Sequence, residues 1–174
     1  MIRLKFAALS FLSLLTVAPT VLSGQSASAQ AVIPRGMDGS YLGGGVSVGV
    51  SNPDDDDAIL GGNVQGRLDL PTVPISVRGA ALFNGDNAAL MPLVTYDIGV
   101  APNTNLYVGG GYSFTVNDDA SPLGNQNAPI ITAGVETAVQ RNLALYGDAK
   151  VGIDAFKDSN DAAVSVQVGA AYRF

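Results

Sequence analysis

The sequence predicts an all-β chain: eight antiparallel strands in up-and-down order, closed into a barrel. Three observations carry this. Apolar and polar residues alternate along eight segments separated by turn-rich stretches. The charges of those segments all fall on one of their two faces. The chain also ends within such a segment, on Ala171-Tyr172-Arg173-Phe174.

Alternate residues of a strand share a face, so each segment is read as two rows. Segment 40–51 sets Leu42, Val46, Val48 and Val50 on one face, then meets the turn Ser51-Asn52-Pro53 and the acidic run Asp54–Asp57. Segment 58–70 sets Leu60, Val64, Leu68 and Leu70 against Asn63, Gln65, Arg67 and Asp69, and the rigid stretch Pro71-Thr72-Val73-Pro74 ends it. Segment 75–83 carries Ile75, Val77, Ala81 and Phe83 against Arg78, before Asn84-Gly85-Asp86-Asn87. Segment 89–100 carries Leu90, Val94, Tyr96, Ile98 and Val100 against Thr95 and Asp97, before the turn at Pro102-Asn103.

The second half repeats the pattern. Segment 105–115 carries Leu106, Val108, Tyr112 and Phe114, and the longest connection follows, Val116 to Asn127. Segment 128–139 carries Ile131, Ala133, Val135 and Val139 against Thr132 and Glu136, with only Gln140-Arg141 before the next. Segment 142–153 carries Leu143, Leu145, Ala149, Val151 and Ile153 against Tyr146, Asp148 and Lys150. After Asp154 to Ala162, segment 163–174 carries Val164, Val166, Val168, Ala170, Tyr172 and Phe174 against Ser165, Gln167 and Arg173. Odd-numbered connections are mostly longer and acidic, even-numbered ones short.

The polarity of the two faces decides which points inward. The charged face holds Arg67, Asp69, Arg78, Asp97, Glu136, Asp148, Lys150 and Arg173, balanced in sign. It also holds Tyr41, Tyr107 and Tyr146 among many glycines, which make room for large neighbouring side chains. Glycine weakens a water-facing strand without benefit, whereas a narrow eight-stranded lumen needs small residues. The apolar face carries no charge, as contact with lipid requires. The fold class expected is therefore an eight-stranded antiparallel transmembrane β-barrel. Leu82, Met91, Leu93 and Ile130 on the mostly polar face keep open the alternative, a soluble exported barrel that binds an apolar ligand as lipocalins do. Pro92 and Pro129 lack a ladder donor and are expected near the loop ends of their strands. If Leu70 pairs with Ile75, Arg67 lies opposite Arg78, and acids from elsewhere must reach them. Asp97, and Glu136 or Asp148, are the candidates.

The first residues are expected to form a signal peptide, 1–29. Arg3 and Lys5 are a basic start, Phe6 to Val17 an apolar run, and Ala27-Ser28-Ala29 an A-x-A cleavage pattern before Gln30. The apolar run is too short for a comfortable helical span of about 20 residues. The barrel domain is then residues 30–174. Losing Arg3 and Lys5 moves the formal charge from -6 to -8. An acidic chain without a basic patch argues against nucleic acid as a partner.

Signals for chemistry are mostly absent. With no His there is no His-based triad and no imidazole base, and with no Cys no disulfide scaffold or thiolate metal site. Gly43-Gly44-Gly45 and Gly109-Gly110-Gly111 precede no helix and no phosphate-binding Lys. Asp54, Asp55, Asp56 and Asp57 could offer carboxylate oxygens to a divalent cation, but lack EF-hand spacing; a solvated acidic loop tip is the expected reading. No catalytic, cofactor or metal residues are assigned, no cofactor is expected, and the chain is not expected to be an enzyme.

The chain after residue 29 resembles the small eight-stranded outer-membrane barrels, the OmpA transmembrane-domain and porin-family group. The resemblance rests on the hairpin rhythm, the two faces and a last strand with Tyr172 third from the end and Phe174 at the end. It implies a monomer in the bacterial outer membrane with periplasmic termini, surrounded by outer-membrane lipids. The barrel assembly machinery would read Phe174. It implies a structural or weakly pore-forming role. A surface adhesin or receptor acting through acidic loops is the alternative within the same fold. No segment answers to the peptidoglycan-binding domain of full-length OmpA, so no cell-wall tether is expected.

Overall fold

The computed structural model describes residues 36–51, 58–85, 87–116, 121–157 and 161–174. The expected signal segment 1–29 and the acidic run Asp54–Asp57 lie outside the described residues. Eight strands follow in order: β1 (Tyr41–Gly49), β2 (Ile59–Asp69), β3 (Ile75–Asn84), β4 (Asn87–Ala101), β5 (Thr104–Val116), β6 (Ala128–Gln140), β7 (Leu143–Gly152) and β8 (Ala163–Arg173). Each pairs antiparallel with its neighbours in sequence. β1 pairs with β8 from Tyr41↔Arg173 to Gly49↔Ser165, which closes the barrel. No strand edge is left open, as a barrel in hydrocarbon requires.

Every strand falls within about two residues of its alternating segment, because the period-2 pattern is continuous across each. Short turns join β2 to β3, β4 to β5 and β6 to β7 at the end where residues 36–40 enter, the terminal end. In the β4–β5 turn Pro102 presets one corner and Asn103 takes a left-handed φ of 57°, which Asn tolerates. The other four strand-to-strand connections are at the opposite, loop end: β1–β2, β5–β6 and β7–β8 are longer, and β3 and β4 are separated by two residues in sequence.

The apolar rows face outward. Leu42, Leu60, Val94, Ile131 and Val168 are all exposed on the barrel's surface. The inward rows are buried, Arg67 and Arg78 at 2% exposure and Lys150 at 0%. The inside-out arrangement expected of a transmembrane barrel is thus the one adopted. Two inward glycines carry out the expected space-making. Tyr107 lies opposite Gly134 and Tyr146 opposite Gly169, and a Cβ at Gly134 would stand 2.6 Å from the Tyr107 ring. The tyrosines cover the bare glycine backbone, a known device for stiffening strands that contain glycine.

The prolines divide. Pro129 is the second residue of β6 and sits at the loop end, as expected. Pro92 is not near the end of its strand. It is the sixth residue of the fifteen in β4. The β4–β5 ladder passes from Leu90↔Phe114 directly to Leu93↔Gly111, skipping Met91 and Pro92 without a change of register. Pro92 still pairs with Gly79 of β3. The strand extends beyond the proline because its other side remains fully laddered.

Candidate functional site

The interior divides into two halves. The half toward the terminal end is polar and built around two arginines. β2 and β3 set Arg67 directly opposite Arg78, the like-charge pair expected from the Pro71–Pro74 turn. Two acids bridge them. Asp97, on β4, takes Arg67 Nη2 at 2.8 Å and Arg78 Nη2 at 3.0 Å. Glu136, reaching across the lumen from β6, takes Arg67 Nη1 at 3.3 Å and Arg78 Nη1 at 2.8 Å. Asp69 adds a contact to Arg67 Nη2 at 2.9 Å. Of the two cross-lumen candidates only Glu136 reaches the arginines. Asp148 instead pairs with Lys150 two residues along β7, at 2.6 Å, because inward residues i and i+2 of one strand are nearest neighbours on its face.

Neutral side chains fill the remaining bonding positions. Arg67 Nε donates to Ser76 and Arg78 Nε to Thr95, both at 2.8 Å. Ser76 also donates to Asp97. Tyr41 donates to Glu136 at 3.0 Å and accepts from Gln65 at 3.1 Å. Tyr107 donates to Asp148 at 2.6 Å. The Arg78 guanidinium stands 3.8 Å from the Tyr107 ring centroid, a cation–π contact strengthened by the dry surroundings. Tyr41 and Tyr146 stack with centroids 6.0 Å apart. A buried charge needs such partners to be tolerated at all.

Both ends of the lumen are covered. At the terminal end residues 36–40 turn into the mouth. The Met37 backbone N–H donates to Asn105 Oδ1 at 2.9 Å, and its carbonyl accepts from Asn105 Nδ2 at 2.7 Å. Gly39 N–H donates to Asp69 at 2.9 Å. The Met37 side chain is buried with Tyr41, Ala144 and Tyr146. A cavity of about 340 Å³ opens beside this segment, lined by Asp69, Pro74, Asp97 and Asn105 among others.

Toward the loop end the β1, β2, β7 and β8 side buries Ser47, Asn63, Lys150 and Ser165, and the β3, β4 and β6 side is apolar. Leu82, Met91, Leu93 and Ile130 cluster there with Leu123 from the β5–β6 connection and Phe156 from the β7–β8 connection. The two connections are tied together: Asn125 and Gln126 N–H both donate to the Ala155 carbonyl at 3.1 Å. Gly124 permits the turn with a φ of 94°, and a Cβ there would strike Ala155. The inward apolar residues seen in the sequence are therefore covered by the chain's own loops. Leu123, Phe156 and Met37 belong to no alternating segment, so the period-2 pattern does not mark them. A large apolar residue within an otherwise small, polar connection is the signal that marks Leu123 and Phe156.

The fold is that of the eight-stranded transmembrane β-barrels, as three solved structures show. Neisserial surface protein A matches at 13% identity and a TM-score of 0.58, over 79% of this chain and 98% of that one. The N-terminal β-barrel domain of OprF from Pseudomonas aeruginosa matches at 13% identity and a TM-score of 0.51, over 78% of this chain and 98% of that one. A de novo designed transmembrane β-barrel matches at 21% identity and a TM-score of 0.52, over 78% and 96%. At these identities the likeness is one of fold. No protein-family model matches the chain, and no curated protein matches it.

Proposed function

We propose that the protein is an integral outer-membrane barrel with an occluded interior and a structural role in the envelope. The observation that carries this is the double closure of the lumen: the Met37 segment at one end, Leu123 and Phe156 at the other, and a paired charge network between them. The interior of an eight-stranded barrel is about filled by its own side chains. On this reading the terminal end faces the periplasm, the longer connections face outward, and the apolar outer face meets outer-membrane lipid. A weakly pore-forming role is the second reading, favoured by the cavity at the terminal mouth. Planar-bilayer recordings separate the two. The occluded barrel gives no discrete conductance steps in salt solution; regular steps from purified protein would replace the structural role with the pore.

Assembly is proposed to depend on Phe174, which follows the last paired residue of β8 and is among the most exposed apolar side chains, at 70%. Its backbone N–H donates to the Ser40 carbonyl at 3.0 Å, which leaves the ring exposed for assembly machinery to read. Deleting Phe174 lowers the amount of folded barrel in the outer membrane, while Val164→Leu does not. Equal amounts of both variants, measured by surface labelling, would remove the signal role.

A further inference from the structure

Among the described residues, the buried polar side-chain atoms with no hydrogen-bond partner are few: Ser113 Oγ, Ser165 Oγ, and both Nε2 and Oε1 of Gln167. Two of these residues are neighbours on the inward face of β8 and are fully buried, Ser165 at 0% and Gln167 at 1% exposure. They oppose the buried Asp148–Lys150 ion pair, which has no salt bridge to the arginines. Gln167 lies across from Asp148, and Ser165 across from Lys150. Directly opposed residues bring their Cβ atoms to within about 5.5 Å. Lys150 has three donors to place. It gives one to Asp148 at 2.6 Å and another, stretched, to Gln65 at 3.4 Å. The adjoining wall is small. Gly45, Ser47 and Gly49 of β1 face inward beside β8, where Ser47 opposes Gln167 and Gly49 opposes Ser165.

A primary amide with two donors and a carbonyl oxygen, a hydroxyl and an ammonium with one stretched bond thus stand on the facing inward rows of β7 and β8. We propose that Gln167, Ser165 and the Asp148–Lys150 pair line an internal hydration site. It would hold about two or three ordered waters, each with the two to four polar partners that a buried water needs. The waters connect the amide and the Ser165 hydroxyl to the ion pair. Pro122, packed against Gly49 toward the loop end, and the arginine network toward the terminal end shut the site from bulk solvent, so its waters exchange slowly. The site is independent of the role assigned to the barrel.

The test uses the full barrel in lipid nanodiscs. Water-selective NMR on the unaltered protein gives direct cross-peaks between slowly exchanging water and the Gln167 side-chain amide protons. Gln167→Met keeps the volume and removes the polar partners. If waters bridge the amide to Lys150, the variant strands them and the urea midpoint falls. If the amide is dry, methionine relieves an unpaired polar group and the midpoint rises or stays. Absence of the cross-peaks, or a raised or unchanged midpoint, would overturn the site. Should the methionine variant fail to assemble, the spectrum of the unaltered protein decides alone.

Discussion

Glu136→Ala destabilises the folded barrel by about 3–5 kcal/mol, the usual scale for breaking a buried ion pair by removing one partner. Glu136 is the hub of the interior. It accepts hydrogen bonds from Arg78, Tyr41 and Asn105 and forms an ion pair with Arg67. Without it two facing guanidinium groups keep Asp97 between them and Asp69 on one side only. The lost contacts lie where burial prevents water from replacing them. Reversible urea unfolding in lipid vesicles checks the figure. A loss below about 1 kcal/mol would mean that water enters the network and screens it as it does surface pairs.

Val108→Arg is the second large effect, a loss of about 2–4 kcal/mol for a cation near the bilayer midplane. Val108 lies in the central part of β5, faces outward, and pairs with Tyr96 and Ala133 on its two sides. None of those neighbours is charged. An arginine there has no partner within the outer face and must stretch toward the interface. The same substitution on a soluble barrel would place a charge in water and leave stability nearly unchanged. A null result in vesicle unfolding would therefore contradict the lipid-facing assignment of this surface.

The architecture was legible because strand period, face and register are coupled. A period of two assigns every residue to a face, and a slip by one would send Arg67, Arg78, Asp97 and Glu136 outward together. The Arg67–Arg78 opposition followed from one short turn, and Asp97 followed from adjacency on the next strand. Choosing between Glu136 and Asp148 was beyond the pattern, because reach across a lumen depends on the stagger of distant strands. The coverings at the two ends were also hidden. Leu123 and Phe156 sit in connections, and Met37 precedes the first strand, where no periodicity constrains the chain. The position of Pro92 shows the limit of a propensity argument. A strand tolerates a missing donor in its middle when the other side stays paired and the register is held on both sides of the gap.

The most direct test of a lipid-embedded, closed barrel is membrane fractionation followed by gel electrophoresis of unboiled and boiled samples. Unfolding a closed ring must break the whole hydrogen-bond ladder, with no edge from which to begin. The protein is predicted to appear in the outer-membrane fraction, and the unboiled sample to migrate at a different apparent size from the boiled one. Recovery in the soluble fraction with identical migration in both samples would contradict the account and favour the soluble, lipocalin-like barrel.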